Sequence, residues 1–446
     1  MFFYAFPILF AKMASVTELI EVLRARGEAA ARELAAQLRL SQPQISRLIK
    51  AAGDRVCRIG KGRATRYALY RTIPNLGSRL PVREIDELGS VRAHGKLHLL
   101  ASDRCWLERE DGSGQTYEGL PPFALDMCPQ GYMGREFPAG HPDLDLPTRI
   151  TDWNDDHRLI AIARRGEDCV GNLIVGDESF SQFLSFRLPT VQRAEYPDLA
   201  RRSLSEQPGS SAGGEQPKFT VFNGDRHLLV KFASGDPSPV TRRWQELLTC
   251  EREALCVVSE AGIDSARAVT CDVDDGRFLE VDRFDRVGER GRRAVLSLYS
   301  IACQHLGYLH DWIRAADDLL ANHFIDSNDA RNIRWLDTFG QLIGNTDRHF
   351  GNLTFYESSA TSYKLAPVYD MLPMAYAPQG TSLVDRPFVP LPPRAGNFEV
   401  WSQAAGHAVN YWHRLASLQE LSVEFRAQCE ANSVAVDALA RQQPSP

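Results

Sequence analysis

Apolar positions near the start of the chain fall at helical spacing. Val16, Leu19, Ile20 and Leu23 form one stripe that stops at Gly27. Ala31, Leu34, Ala35 and Leu38 form a second, which ends in a tight turn at Leu40. Ser41 is a good N-cap and Pro43 is tolerated in a first turn, so a third helix follows, with Ile45, Leu48 and Ile49 turned inward. Its other face carries Gln42, Gln44, Ser46, Arg47 and Lys50. The run VCRIGKGRATRYAL then reads as two short strands around Gly60-Lys61-Gly62, a hairpin that carries Lys61, Arg63 and Arg66.

The stretch PNLGSRLP, within residues 73–81, reads as a linker. From 82 to 205, short apolar runs such as GKLHLLA, RLIAIAR and CVGNLIVG are broken by Gly, Pro and Asp, which predicts a mixed, strand-rich subdomain. Its isolated histidines, His94, His98, His141 and His157, read as surface or satisfied core residues. Beyond it, Asn223-Gly224 signals a hairpin whose second strand is HLLVKFA. Trp244, Leu247, Leu248, Leu255 and Val258 mark a helix, and Glu251 falls on the same stripe. A further stripe, Trp335, Leu336, Phe339, Leu342 and Ile343, runs into Asn345-Thr346-Asp347, and LTFY with YKLAPVY reads as a hairpin ending on Asp370.

At 446 residues the chain exceeds one core, since domains run to about 100–200 residues. With 43% apolar and 24% charged residues, it has a globular rather than a disordered or fibrous composition. The net charge of -6 hides a division. Residues 15–72 hold 12 Lys/Arg against 5 Asp/Glu, a net of +7, while 73–446 hold 38 against 52, a net of -14. A basic unit fused to an acidic one points to a nucleic-acid or membrane contact on the basic side. The 9 cysteines include no C-x-x-C pair, which suits reduced thiols in the cytoplasm. The apolar opening MFFYAFPILFA lacks a preceding basic residue, is interrupted by Pro7 and is too short to span a bilayer, so residues 1–14 are expected to be an unstructured extension.

Three helices, the last faced with amides and basic groups, followed by a basic hairpin, describe a winged helix-turn-helix with its third helix in a major groove. Gln and Arg suit base edges and Lys50 suits phosphate. The rival reading is a docking or oligomerisation module with a solvated basic face.

The remaining candidates concern phosphoryl transfer. GSSAGGEQPKF is a flexible loop before a strand, and Gly213 and Gly214 let backbone N–H groups approach an anion. No helix follows, so it is not the P-loop of nucleotide triphosphatases. A strand lysine, Lys231, and a helix carboxylate, Glu251, match the ion pair that holds a kinase lysine against phosphates. A snorkelling Lys231 with Glu251 at the helix edge explains those two residues equally well. Asp347 and Asn352 have the D-x-x-x-x-N spacing of a kinase catalytic loop, and Asp370 follows the hairpin. Asp347 is then the base or hydroxyl-orienting group, Asn352 and Asp370 the Mg²⁺ ligands, and Arg348 and His349 the groups that orient the loop or offset phosphoryl charge.

At these residues the chain resembles the HipA-like serine/threonine kinases of bacterial toxin–antitoxin systems. SSAGGEQPK is similar to that family's Gly-rich loop, VDRFDR to its segment after the lobe-joining strand, NTDRHFGN to its catalytic loop, and LAPVYDML to its metal-binding segment. The loop is one residue longer than usual, Asp282 replaces a Glu, and Cys250 replaces an Asn. The fused N-terminal winged helix resembles the solitary YjjJ-type branch. The resemblance implies a two-lobed α+β kinase-like fold, ATP with Mg²⁺, and a protein serine or threonine as acceptor. It places adenine near Val281, Asp282 and Phe284, phosphates against Ala212, Gly213 and Gly214, and self-phosphorylation at Ser210 or Ser211. It makes a translation component such as an aminoacyl-tRNA synthetase the expected target. An antitoxin and a homodimer stay open.

The expected organisation is therefore an extension (1–14), a winged helix (15–72), a linker (73–81), a HipA-like N-terminal subdomain (82–205), a kinase core (206–440) and a tail (441–446). Two rival functions remain: a DNA-binding transcriptional regulator whose pseudokinase body senses a nucleotide, and a small-molecule kinase.

Overall fold

A computed structural model describes residues 15–185, 189–205, 216–233, 237–359, 361–384 and 386–443. They divide into two units. Residues up to Arg83, with Ala93–Pro121 and Val175–Glu178, form one; Glu84–Arg92, Pro122–Ile174 and the chain from Ser179 form the other.

In the first unit, helices span Val16–Arg26, Ala31–Leu38 and Gln42–Ala52. Ser15 and Glu18 close a reciprocal capping box on the first, with Ser15 N–H donating to Glu18 at 2.8 Å and Glu18 N–H to Ser15 Oγ at 3.2 Å. The stripes meet in a core of Leu19, Leu23, Leu34 and Ile45, all fully buried. A small antiparallel sheet in the order Glu28–Ala30, Arg66–Leu69, Val56–Ile59 packs beside them.

The chain does not become a free linker after this sheet, in contrast to the expectation for 73–81. Arg71 N–H donates to Leu99 O and Ala101 N–H to Leu69 O, each at 2.9 Å. Ile73 and Leu80 are buried, and Arg79–Ile85 is already a strand. Two apolar side chains and a waiting sheet edge outweigh the turn-forming residues around Asn75. The sheet that receives them runs Gly114–Glu118, Arg104–Arg109, Val91–Leu100, Arg79–Ile85. His98 is buried within it, its Nδ1 2.8 Å from the Tyr70 hydroxyl, its Nε2 2.9 Å from Glu108, and its ring stacked on Trp106 at 4.7 Å.

In the second unit the stretch from Pro122 to Ser205 is mostly helical, which corrects the strand-rich reading of 82–205 for that part only; GKLHLLA, but for its last residue, lies in the strand Val91–Leu100. RLIAIAR lies in the helix Asp155–Arg165, started by Asn154, whose side chain accepts from His157 N–H at 3.1 Å. A short apolar run fits a buried helix as well as a strand, and here the cap decides. Beyond it stands an antiparallel sheet in the order Ala268–Val273, Gly276–Asp282, His227–Ala233, Lys218–Phe222. The helix Pro239–Glu260 lies against it, burying Leu247, Leu248, Leu255 and Val258. A larger helical body follows, centred on Trp335, Phe339, Tyr411 and Trp412 from the helices Ser327–Leu342 and Phe398–Ser417. The hairpin Thr354–Ser359 with Ser362–Leu365, and the strand Val295–Ser297 beside it, complete this body. Among the described residues no helix is long and apolar enough to cross a membrane.

Burial lowers the His98 pKa below its ordinary value, against the pull of Glu108. A depressed histidine contributes stability above the unfolded pKa and loses it as pH falls through the folded one. The melting temperature of the wild type is expected to drop more between about pH 7 and about pH 5 than that of His98→Gln. Equal drops in the two proteins would show that His98 does not carry this dependence.

Candidate functional site

Lys231 points from its strand into the space between sheet and helix, in register with Leu279 on one neighbouring strand and Lys218 on the other. It is 4% exposed, and Glu251 is wholly buried on the facing helix. The lysine Nζ donates to both Glu251 oxygens, at 2.6 and 2.7 Å, and also to Asp370 Oδ1. The structure thus brings together two residues separated by 20 positions and a third that lies 139 positions on from the lysine. A Glu251 at the helix edge is excluded by its burial.

One cation between two carboxylates sets the electrostatics. Burial opposes the charge on Lys231, yet the carboxylates hold its pKa above the ordinary value. Burial also pushes the Glu251 carboxyl up, despite the ammonium it holds. For Asp370 burial works in the same upward direction, but Lys231 and Lys218 outweigh it and hold its pKa down to about 2. Asp370 and Lys231 therefore stay charged across the neutral range. Asp370 sits at φ 53°, in the left-handed region that Asp tolerates better than most residues.

The catalytic-loop candidates start where the helix Ser327–Leu342 stops. Gly344 at φ 73° ends it, and Asn345 follows, 1% exposed. The Asn345 side-chain Oδ1 accepts from Asp347 N–H at 2.9 Å, while its Nδ2 donates to the Asp370 backbone oxygen at 3.4 Å. Asn352 donates from Nδ2 to the Asp347 backbone oxygen at 2.7 Å, which leaves its own Oδ1 as the acceptor end. Arg348 reaches back to the Asn345 carbonyl and to Asp337 at 3.1 Å. Gly340 makes room for it, since a Cβ there would lie 2.7 Å from Arg348 Cδ. The Asp347 and His349 side chains are exposed, 3.9 Å apart, and His349 Nδ1 accepts from Gly351 N–H at 3.0 Å. Arg348 and His349 thus shape the loop, and the Asp347 carboxylate is exposed beside His349.

Of the residues expected near adenine, Val281 is buried with Ala233, Leu248 and Leu279, and Asp282 pairs with Arg226. The Phe284 ring lies 5.8 Å from that of Tyr369. The rest of VDRFDR is a charge knot. Arg283 pairs with Asp168 at 2.9 Å, and Arg286 reaches Asp168 at 3.0 Å and the Cys169 carbonyl at 2.6 Å, while Asp285 accepts from Gly171 N–H at 3.1 Å. The segment thereby clamps the loop Asp168–Gly171.

A cavity of about 280 Å³ opens beside the candidate loop, walled by His349, Gly351, Thr354, Tyr369, Val170, Ser297, Tyr299 and Asp126 among others. The Tyr369 hydroxyl donates to the Gly351 carbonyl and meets Thr354 Oγ1, both at 2.7 Å, so its ring forms a fixed wall. Among the described residues no group of three or more His, Cys, Asp or Glu could hold a metal by itself. The Asn352 and Asp370 oxygens are hard donors, and they suit an Mg²⁺ that keeps water and phosphate oxygens in its shell.

Ser210, Ser211, Ala212, Gly213 and Gly214 lie outside the described residues. In the first unit Gln42, Ser46, Arg47 and Lys50 are exposed on one helix. Gln44 Oε1 is occupied by Ser41 N–H at 2.9 Å. Lys61 donates to the Asp111 carbonyl, Arg63 is exposed, and Arg66 pairs with Glu28 at 2.7 Å. Asn345, Asp337 and Asp126 were not among the sequence candidates. Only Asn345 left a signal, two places before Asp347.

A sheet carrying a lysine, a helix carboxylate, a loop of Asp347 with Asn345 and Asn352, and Asp370 after the next hairpin, all on a helical body, make up a HipA-like fold. The solved structure of HipA from Shewanella oneidensis MR-1, in its toxin–antitoxin complex with HipB and operator DNA, superposes over 82% of this chain and 100% of that one, with a TM-score of 0.53 and 15% identity. Residues 210–435 match the HipA-like C-terminal domain, and residues 76–184 match the middle domain of YjjJ-like toxins. Toxin YjjJ of Escherichia coli K12 is 32% identical over 430 residues, covering 92% of this chain and 95% of that protein. The chain belongs to the HipA-like toxin family, with the middle domain of the YjjJ-like toxins.

Loss of the buried Asn345 side chain removes two hydrogen bonds, one from Asp347 N–H and one to the Asp370 backbone oxygen. Asn345→Ala is expected to cost about 1–3 kcal/mol in chemical denaturation. A cost near zero would mean that the loop holds its shape without this residue.

Proposed function

We propose that the protein is an ATP-dependent serine/threonine protein kinase. The observation that carries this reading is the Lys231 ammonium held by Glu251 and reaching Asp370. A lysine so placed is oriented, charged and beside a candidate metal ligand, which is what a group that binds triphosphate oxygens requires.

Lys231 would hold the α- and β-phosphates, and the contact with Asp370 would loosen as phosphate oxygens take over the ammonium. Asn352 and Asp370 would hold Mg²⁺, which when bound offsets charge across the phosphates. Asp347 would orient the acceptor hydroxyl and receive its proton, being exposed and fixed through its backbone by Asn345 and Asn352. Residues 212–214 would cover the phosphates, and Ser210 or Ser211 would take phosphate in self-modification. Adenine would sit near Val281, Asp282 and Phe284, whose ring packs against Tyr369, and the cavity beside Tyr369 would receive the sugar. The acceptor is a protein serine or threonine, and by kinship of sequence a translation component such as an aminoacyl-tRNA synthetase. The enzyme would work in the cytoplasm.

Residues 15–72 would act as a winged helix-turn-helix on duplex DNA, with Gln42, Ser46, Arg47 and Lys50 supplying the contacts and Arg63 a phosphate contact from the hairpin. Gln44 and Arg66 would serve the module's own structure, since a cap and an ion pair occupy them. The relative solved with HipB and operator DNA is a member of the same family, which suits a DNA partner here.

Transfer of labelled γ-phosphate to lysate proteins or to the chain itself is expected to fall by about a hundredfold or more in Asp347→Asn. Undiminished transfer would remove the proposed base, and absence of transfer from the wild type would favour the nucleotide-sensing regulator. Binding to duplex DNA is expected to weaken steeply with salt, and Arg47→Ala to lower affinity while reducing the salt slope by about 1. Salt-independent behaviour would favour a docking module.

A further inference from the structure

Asp126 lies in the last turn of the helix Pro122–Met127 and lines the cavity beside the catalytic loop. It is half-buried. Its Oδ1 accepts from the Ser297 and Ser300 hydroxyls at 2.5 and 2.6 Å, and its Oδ2 accepts from Ser297 N–H at 2.7 Å. These donors pin the carboxylate at the start of the helix Leu298–His305, and none of them is a cation. Two carboxylate oxygens offer about four acceptor positions, so the three bonds leave capacity on Oδ2.

The cavity's position says which part of a ligand would meet that oxygen. Gly351 and Tyr369 wall it, and they are the chain neighbours of Asn352 and Asp370. Phosphates held at Asn352, Asp370 and Lys231 would put the next portion of a nucleotide, its sugar, at this wall. The Tyr369 hydroxyl and Thr354 Oγ1 are bonded to each other, whereas the Asp126 carboxylate still has an acceptor position to offer.

We propose that the Asp126 carboxylate accepts the ribose hydroxyls of the bound nucleotide and so selects ribonucleotides over deoxyribonucleotides. The inference rests on the nucleotide reading of the site. A charge-assisted hydrogen bond to a sugar hydroxyl is lost when that hydroxyl is absent, and the carboxylate is then left desolvated without its donor.

Calorimetric titration of the full chain with ADP, 2′-deoxy-ADP, 3′-deoxy-ADP and IDP tests this without turnover. The wild type is expected to bind at least one deoxy analogue about tenfold or more weakly than ADP. In Asp126→Asn that ratio is expected to shrink toward one, while the ADP-to-IDP ratio, which reads the base, stays unchanged. Equal binding of ADP and both deoxy analogues by the wild type overturns the proposal, and this result needs no variant to fold. Persistence of the discrimination in Asp126→Asn, or a change confined to the IDP ratio, overturns it too. Failure of the wild type to bind ADP at all would remove the nucleotide reading and this inference together.

Discussion

The buried contact between Lys231 and Glu251 is the constraint on which the rest of the second unit depends. Removing two charges from water is expensive, and a single buried ion pair often contributes nothing net to stability. Here the cation serves two carboxylates, and one of them, Asp370, comes from the other end of the domain. Lys231 therefore ties the sheet, the helix Pro239–Glu260 and the segment after the hairpin to one point. A cheaper apolar core could join these elements, but it would leave no charge aimed at the site.

The loop beside it is organised by the same economy. Asn345 uses both ends of its amide, one on Asp347 and one on the Asp370 backbone. Asn352 spends its amide nitrogen on the Asp347 carbonyl and keeps its oxygen. Arg348 is held by Asp337, which also pairs with Arg394 at 3.2 Å. Each fixes backbone or position and leaves the Asp347 carboxylate exposed. Rigid surroundings with one free polar group are the arrangement that orients an acceptor at little further cost in entropy.

Much of this was legible in the sequence because the responsible residues lie on strongly periodic elements. The stripe from Trp335 to Ile343 fixed a helix, and its end put Asp347 in a loop. Glu251 was visible as a carboxylate on an apolar face, although only burial separates a paired residue from one at the edge. Other parts were not legible. RLIAIAR has no period long enough to tell helix from strand, and the deciding cap is Asn154. Residues 73–81 carry turn formers, but Ile73 and Leu80 needed a sheet edge that sequence does not display. Asp126 has no motif at all, and its place depends on Ser297 and Ser300, 171 and 174 positions away. Likewise VDRFDR resembles a family segment, while its arginines act on Asp168, which no spacing rule connects to them.

The most direct test of the central claim is a double-mutant cycle on phosphoryl transfer with Lys231→Met and Glu251→Gln. If Glu251 acts only by holding Lys231 in place, the double variant transfers phosphate no more slowly than Lys231→Met alone. Two losses that multiply would show that the residues act independently, and would contradict the account.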